Sequence, residues 1–325
     1  MINPPAPTVG FIGLGNMGAP MVANLQKARY PLVVHDSRRA AASAALQAGA
    51  SWADTPRALA AQCDVVFSCL PSLDAIAAVA LGPQGIVAGI RPGSACFEMS
   101  TNSPELARQL QAAFAERGAA FLEAPISGGA AGALRGRLAI WVGGDAQAYQ
   151  RFEPVLKAMA DQARHIGAFG AGLVTKLAHN AAAAAINAVL AEVFALGVKA
   201  GAEPLALFEA LRQGTIGRRR TFDGLADQYL PGDYAQAHAP LRILKKDMLL
   251  ATELGRELRV PMRMAQLALA DLVQADNRGW SEQDCRSVMR LQQERSGVDF
   301  KVDLEALADV FRRDPPAASD AKHGG

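Results

Sequence analysis

A glycine-rich turn near the N-terminus constrains the fold of this chain more than any other feature. The apolar run Val9–Ile12 ends at Gly13, and Gly15 and Gly18 follow before a helical pattern begins. This order favours a dinucleotide site over a purely structural turn, because the helix N-terminus offers free N–H groups to a pyrophosphate. Gly13 permits the tight turn, Gly15 lets the backbone approach the phosphates, and Gly18 allows close packing of helix and strand. The residues between these glycines are expected to contact the cofactor as well: Leu14, Asn16 and Met17.

Asp36 closes the second predicted strand and indicates which dinucleotide is bound. It lies 23 residues after Gly13, where a carboxylate can accept hydrogen bonds from the adenosine ribose and would repel a 2′-phosphate. Arg38 and Arg39 suit a phosphate, unless they belong to a solvated loop before the next helix. Together these residues favour NAD as the cofactor and leave NADP as the alternative.

Length, charge and cysteine spacing limit the classes of protein to which this chain can belong. The 325 residues suffice for about two domains. A net charge of +2 gives no sign of nucleic-acid binding, and Cys63, Cys69, Cys96 and Cys285 lack metal-ligand spacing. No secretory signal is visible, and the most apolar stretch, Ala181–Ala191, is too short to span a bilayer. We therefore expect a reduced cytoplasmic protein with no metal, nucleic acid or membrane partner.

Apolar segments alternate with helical patterns up to about residue 168, which predicts an α/β fold with a doubly wound, mostly parallel sheet. The predicted strands are 8–12, 32–36, 64–70, 94–98, 119–123 and 138–142. No convincing strand follows Gly170, and a helix over 172–200 would be ~40 Å long. Further helices are predicted near 203–213, 222–229, 240–257, 262–276, 281–294 and 303–312. The expected division is an NAD(P)-binding Rossmann domain over 1–169, an all-α domain over 170–314 and a disordered tail over 315–325.

Two segments at strand ends are expected to lie beside the cofactor. Leu70 and Pro71 end one predicted strand, and Thr101 follows the next. In an open parallel sheet the ligand lies outside the carboxyl ends of the strands. Thr101 can bind the nicotinamide ribose, or Ser100 and Thr101 can cap the helix that begins near Ser103.

A Ser-Gly-Gly turn directly after a strand is a candidate for substrate binding. Ser127, Gly128 and Gly129 would expose consecutive backbone N–H groups and a hydroxyl, which can hold a carboxylate. A flexible turn that binds nothing is the alternative.

Lys176 and Asn180 lie four residues apart and share one face at the start of the long helix. The helix dipole disfavours a charged amine near a helix N-terminus, which lowers its pKa. Lys176 can then exchange a proton with a substrate hydroxyl that Asn180 orients. The alternative is a lysine that only faces solvent. His179 lies one residue off this face, and no role is expected for it.

These segments together resemble the β-hydroxyacid dehydrogenase family, which includes 3-hydroxyisobutyrate dehydrogenase and tartronate semialdehyde reductase. The resemblance covers residues 8–295 and rests on four motifs: GFIGLGNMGAPMVANL, EAPISGG, GAGLVTKLAHN and LKKDM. Read without it, the last motif is typical of a surface salt-bridge cluster. Three residues of these segments depart from the family pattern: Glu123 and Ile126 stand where many relatives have Asp and Val, and Trp141 stands where a smaller apolar residue is common.

The resemblance implies roles for particular residues of this chain. Lys176 would be the catalytic acid/base, Asn180 would hold the substrate, and Ser127–Gly129 would bind its carboxylate. Thr101 would contact the cofactor, and Lys246 would lie at the cofactor–substrate cleft. The family fold is a Rossmann domain, an interdomain helix and an all-α domain, assembled as homodimers or homotetramers.

The activity that the resemblance implies is hydride transfer between NAD(P) and a small 3-hydroxy acid or its semialdehyde. Two alternatives share the architecture, an imine reductase and a non-catalytic dinucleotide-sensing module. Members of those groups usually lack a lysine at the position of Lys176, which argues against both.

Overall fold

The computed structural model describes residues 6–315, and these form two compact units. The first unit extends to Ala182, and the second begins at Ala183. The tail predicted over 315–325 lies, apart from Pro315, outside the described residues. The domain boundaries given above stay a prediction.

The first unit is built on a nine-stranded sheet in the order β3-β2-β1-β4-β5-β6-β8-β7, with β9 beside β8. The strands are β1 Val9–Ile12, β2 Leu32–His35, β3 Ser51–Trp52, β4 Val65–Ser68, β5 Ala95–Glu98, β6 Ala120–Glu123, β7 Ile126–Ser127, β8 Leu138–Gly143 and β9 Ala160–Gly167. All neighbours pair parallel except β6 with β8 and β7 with β8. The predicted α/β class with a doubly wound, mostly parallel sheet is confirmed.

Helices cover both faces of this sheet. They are α1 Gly18–Lys27, α2 Ser43–Gln47, α3 Pro56–Ala60, α4 Leu73–Leu81, α5 Ile86–Gly89, α6 Pro104–Glu116, α7 Gly129–Arg135 and α8 Ala146–Met159. Successive side chains of a strand point to opposite faces, so Phe11 joins the core on one face and Ile12 the core on the other. On the first face, Phe67 packs between Phe11 and Phe97, with ring centroids 6.3 and 5.3 Å away.

The central strands pair in register, so one row of residues crosses the sheet at its carboxyl edge: His35, Ile12, Ser68, Glu98 and Glu123. Each of them is the last residue of its strand. The segments that follow therefore emerge at the same edge, and they carry Asp36, Gly13, Leu70, Thr101 and Ser127.

The second unit is helical. Its helices are α10 Pro204–Gln213, α11 Thr215–Arg218, α12 Leu241–Glu257, α13 Arg263–Asn277, α14 Arg290–Ser296 and α15 Leu304–Arg313, and α9 Ala171–Lys199 enters it from the first unit. Within the described residues from 171 onward, the only strand-like pairing is an isolated bridge between Pro240 and Asp284. The helix predicted over 222–229 is instead a short 3-10 turn, Asp223–Ala226. The helix predicted over 281–294 begins as a 3-10 turn at Cys285.

The sequence patterns missed three strands, β3, β7 and β9. Two of them have only two residues each, too few for a periodic signal. The third, Ala160–Gly167, mixes polar and charged residues with small ones, because it lies at the edge of the sheet and only two of its residues, Ala160 and Ala163, are buried. An apolar run is therefore not required there.

Helix α9 is long and apolar enough, by length and composition, to cross a membrane, and no other helix within residues 6–315 has both properties. Its apolar character extends well beyond Ala181–Ala191, so the expectation that the apolar stretch is too short to span a bilayer is wrong. None of its most apolar 18-residue window is buried within the chain. One such helix is weak evidence for a membrane span, since the test uses length and composition only.

Gly18 is required by the close approach of α1 to the preceding turn. A Cβ at this position would lie 1.8 Å from the carbonyl oxygen of Gly13. Gly13 itself has φ +93°, a conformation that side chains disfavour. Gly15 differs from both, because nothing lies within 4 Å of a Cβ built there.

The variants Gly18→Ala and Gly15→Ala test this packing. Gly18→Ala should lower the free energy of unfolding by about 1–3 kcal/mol, because the backbone of α1 must move to relieve the overlap. Gly15→Ala is the matched control and should unfold like the wild type. Chemical denaturation of the three proteins measures the difference, and equal stability of all three would contradict the packing described here.

Candidate functional site

A cleft of about 610 Å³ opens at the carboxyl ends of β1, β2 and β4. Eight of the residues predicted to bind the cofactor line it: Gly13, Gly15, Asn16, Met17, Gly18, Asp36, Leu70 and Pro71. Leu14 is the exception in the glycine-rich turn, because its side chain is buried in the core and only its backbone faces the site region.

The cleft fits a dinucleotide. The open space around Gly15 allows a phosphate to approach the backbone, and the N-terminus of α1 begins directly beyond it at Gly18. The side chain of Met17, the N-cap residue, makes no capping hydrogen bond. The N–H of Ala19 donates to the carbonyl oxygen of Gly15 and Pro20 has no N–H, so Gly18 is the helical residue whose N–H is placed to meet a ligand.

Asp36 holds the glycine-rich turn in place. Its Oδ2 accepts a hydrogen bond of 2.7 Å from the N–H of Leu14, and its Oδ1 accepts one of 2.9 Å from the N–H of Arg38. Arg38 lines the cleft. Arg39 does not: its guanidinium lies over the ring of Trp52, 5.3 Å from the centroid, and near Asp54.

A buried carboxylate that the sequence patterns missed joins the ends of β4 and β5. Glu98 accepts hydrogen bonds from the hydroxyl of Ser68 at 2.7 Å and from the N–H of Ser100 at 2.8 Å. The hydroxyl of Ser100 in turn accepts from the N–H of Leu70 at 2.7 Å. Burial raises the pKa of Glu98, and these hydrogen bonds oppose that rise. The network fixes the segment that carries Leu70 and Pro71.

Thr101 is exposed just beyond this network, after the end of β5. The alternative prediction, that Ser100 and Thr101 cap the following helix, is wrong. Ser103 is the cap of α6, and its hydroxyl accepts from the N–H of Leu106. Ser100 serves the Glu98 network instead, which leaves Thr101 available to a ligand.

Lys176 and the Ser-Gly-Gly turn lie together in the first unit. The Lys176 Nζ donates a hydrogen bond of 2.7 Å to the carbonyl oxygen of Ile126, the residue before Ser127. Desolvation lowers the pKa of this half-buried lysine. Gly128 and Gly129 have φ +126° and +62°, so the chain turns sharply there and α7 begins. An amine of lowered pKa therefore lies at the start of a turn that can hold an anion.

Asn180 lies one helical turn beyond Lys176 and is exposed. Its Oδ1 is 3.3 Å from Nδ1 of His179. The ring of His179 also contacts that of Trp141, with centroids 5.2 Å apart. The sequence gave no reason to expect a contact for His179, since the partner Trp141 lies on β8, far away along the chain.

The LKKDM segment belongs to the second unit, on α12. Lys245 forms an ion pair with Asp276, and Lys246 pairs with Asp247 at 3.2 Å. Both members of the second pair are more than half exposed, so the pair contributes little to stability. The cofactor role of Lys246 stays a prediction.

The thiol of Cys69 is not a reactive group in the cleft. Cys69 lines it, but burial raises the pKa of its thiol to about 12, which leaves it protonated and unreactive. In residues 6–315, no three His, Cys, Asp or Glu side chains are grouped to hold a metal ion.

Two known families match the chain, one on each side of Gly170. The family described as the NAD binding domain of 6-phosphogluconate dehydrogenase matches residues 8–167. The family described as the NAD-binding domain of NADP-dependent 3-hydroxyisobutyrate dehydrogenase matches residues 170–292.

Relatives of known name cover most of the chain. The NAD-dependent L-serine dehydrogenase of Pseudomonas aeruginosa is 37% identical over 87% of this chain and 97% of its own length. The 3-hydroxyisobutyrate dehydrogenase of the same organism is 34% identical over 80% of this chain and 89% of its own.

Solved structures show the same fold. The 3-hydroxyisobutyrate dehydrogenase of Mycobacterium tuberculosis with L-serine is 28% identical and has a TM-score of 0.61, over 89% of this chain and 100% of that one. An imine reductase from Pseudomonas sp. has a TM-score of 0.72 over 88% of this chain and 99% of that one. Its identity of 20% shows a shared fold alone. The matches along the whole sequence show that this chain belongs to the β-hydroxyacid dehydrogenase family.

Proposed function

We propose that this protein transfers a hydride between NAD(P) and a small 3-hydroxy acid or its semialdehyde, with Lys176 as the general acid/base. The observation that carries the proposal is the contact between the Lys176 amine and the carbonyl of Ile126. It holds a proton-exchanging group one residue from the turn that would bind the substrate carboxylate. The named relatives act on L-serine and 3-hydroxyisobutyrate, which both carry a carboxylate and a hydroxyl on the third carbon.

Each group has one task in this mechanism. Ser127, Gly128 and Gly129 bind the substrate carboxylate through N–H groups and the serine hydroxyl. Asn180 holds the reacting oxygen. Bound NAD(P) accepts the hydride in oxidation and supplies it in reduction. Lys176 takes the hydroxyl proton in oxidation and returns it in reduction, and its lowered pKa makes the neutral amine accessible nearer to neutral pH.

NAD is the cofactor that the cleft favours. The Asp36 carboxylate would repel a 2′-phosphate, while Arg38 in the same cleft would attract one. Arg39 is not placed to bind the 2′-phosphate of NADP, because its guanidinium packs on the ring of Trp52. We also propose Thr101 as a contact of the nicotinamide ribose, and Lys246 as a further contact of the cofactor.

We propose that a second copy of this chain packs against the exposed apolar surface of the helical unit. The buried clusters of this unit are small, with five and three residues. Many large apolar side chains remain exposed there, among them Leu190, Leu205, Phe208, Leu250, Leu267 and Leu304. Apolar surface on this scale marks an interaction site in a folded protein. A homodimer or homotetramer in the cytoplasm fits these observations, with α9 packed against protein rather than lipid.

Two other functions make different predictions. An imine reductase would reduce cyclic imines in preference to semialdehydes, and a sensing module would bind NADH without turnover. A panel of small 3-hydroxy acids, semialdehydes and cyclic imines, run with both cofactors, separates the three. Turnover of 3-hydroxy acids is the expected result.

The variant Lys176→Ala tests the acid/base assignment. Wild-type kcat for oxidation should rise with pH through the lowered pKa of Lys176, because only the neutral amine accepts a proton. In Lys176→Ala, kcat should fall by about 10²–10⁴-fold, and this dependence on pH should disappear. The affinity for NADH, measured by fluorescence titration, should not change.

Lys157→Ala is the matched control, since Lys157 is an exposed lysine of α8 paired with Glu153. It should keep wild-type kcat and pH dependence. Wild-type kcat in Lys176→Ala would rule out Lys176 as the general acid/base, whatever the control shows.

The variant Asp36→Asn tests the choice of dinucleotide. Removing the charge should shift the ratio of kcat/KM for NAD to kcat/KM for NADP by at least about tenfold toward NADP, because juxtaposed like charges cost several kcal/mol. In the background of Asp36→Asn, Arg38→Ala should lose the gained NADP activity. Arg39→Ala serves as the control and should leave the ratio as it is. An unchanged ratio in Asp36→Asn would show that this carboxylate does not select the cofactor.

Light scattering during gel filtration tests the assembly. The wild type should elute as a dimer or tetramer from the soluble fraction, and Leu190→Lys should shift it toward the monomer by placing a charge on the α9 surface. Leu81→Lys, on α4 of the first unit, is the control at a similarly exposed leucine. A wild-type monomer would refute the proposed assembly, and recovery only with membranes would assign α9 to lipid.

A further inference from the structure

Glu123 is a buried carboxyl group to which the proposed reaction assigns no task. It is the last residue of β6 and is 5% exposed. It lies three residues before Ile126, whose carbonyl accepts the hydrogen bond from Lys176. Its hydrogen bonds go to backbone groups of its neighbours, so we look to those neighbours for its effect on catalysis.

Those neighbours are the backbone N–H groups at the start of α9. Oε2 of Glu123 accepts from the N–H of Gly170 at 2.8 Å and from that of Leu173 at 3.4 Å. A helix leaves its first N–H groups without partners inside the helix. Here a carboxylate from the sheet supplies a partner, and its negative charge also complements the positive end of the helix dipole.

Two glycines beside this contact, Gly143 and Gly172, have no room for a side chain. A Cβ at Gly143 would lie 2.8 Å from Oε2 of Glu123 and 2.7 Å from the N–H nitrogen of Gly172. A Cβ at Gly172 would lie 2.5 Å from the carbonyl oxygen of Trp141. The first turn of α9 is therefore confined between the Glu123 carboxylate and the backbone of β8.

The two carboxyl oxygens of Glu123 differ, because Oε2 accepts the hydrogen bonds from the start of α9 and Oε1 accepts none of them. Oε1 is buried and has no hydrogen-bond partner among the described residues. Burial raises the pKa of this carboxyl group, while the N–H groups of α9 oppose the rise. A buried oxygen without a partner is destabilising, so the group is retained at some loss of stability.

We propose that Glu123 is a positioning residue that fixes the rotation of α9 and thereby holds the amine of Lys176 against the carbonyl of Ile126. The inference rests on the proposed role of Lys176. A helix turns by about 100° for each residue, so a small rotation about its axis would carry Nζ away from the substrate turn. Glu123 prevents that rotation because it belongs to the same β6–β7 segment as Ile126 and is bonded to the helix.

A double-mutant cycle of Glu123→Ala with Lys176→Ala tests this proposal. Glu123→Ala alone should lower kcat by about 10–100-fold, the scale of a misplaced reacting group. Its KM for NAD should stay at the wild-type value, because the cleft is held by Asp36 and Glu98. In the background of Lys176→Ala, the same change should have no further effect on kcat, since the group it positions is gone.

Two more variants keep the test decisive if Glu123→Ala folds poorly. Glu123→Gln retains an oxygen that accepts the N–H groups and should restore kcat to within a few-fold of wild type. Glu123→Asp should give an intermediate kcat and the same non-additive cycle. Glu116→Gln, at an exposed glutamate of α6, is the control and should not change kcat.

The outcomes separate this proposal from the proposed function. If Lys176→Ala keeps wild-type activity, the function fails. If Lys176→Ala is slow but Glu123→Ala slows it further by the factor seen in the wild type, Glu123 acts independently of Lys176 and the positioning role is overturned. A wild-type kcat in Glu123→Ala overturns it as well.

Discussion

The in-register pairing of the central parallel strands is the constraint on which the candidate site depends. Because His35, Ile12, Ser68, Glu98 and Glu123 form one row, five separate segments leave the sheet at the same edge. A slip of one strand by a single residue would turn its side chains to the other face. It would also move one site segment by about 3.3 Å relative to the others. The alternating cores on the two faces hold the register in place.

Two of the five residues in this row are glutamates, and both do a similar physical task. A buried carboxylate is unfavourable unless hydrogen bonds compensate for the lost water. Glu98 receives them from Ser68 and Ser100, and Glu123 from the backbone of α9. In each case the donors lie in the segment that must be held still. Because each buried carboxylate needs hydrogen-bond donors, it orders the chain segments that supply them around the cleft.

The sequence predicted the parts of the molecule whose signals are local. Spaced glycines, a carboxylate after the second strand and a lysine four residues from an asparagine can all be read along the chain. The contact of Lys176 with Ile126 could not, since 50 residues separate the partners. The Trp141–His179 contact and the Glu98 network also depend on tertiary packing. Strand β9 escaped detection because an edge strand with polar side chains lacks the apolar run that marks a central strand.

The division between the two compact units falls inside α9, after Asn180. The glycine-rich turn, the Ser-Gly-Gly turn, Lys176 and Asn180 therefore share one unit, and the helical unit contributes Lys246 alone among the proposed site residues. Apart from those at Lys246, substitutions in the helical unit therefore change none of the residues proposed to handle the cofactor and the proton.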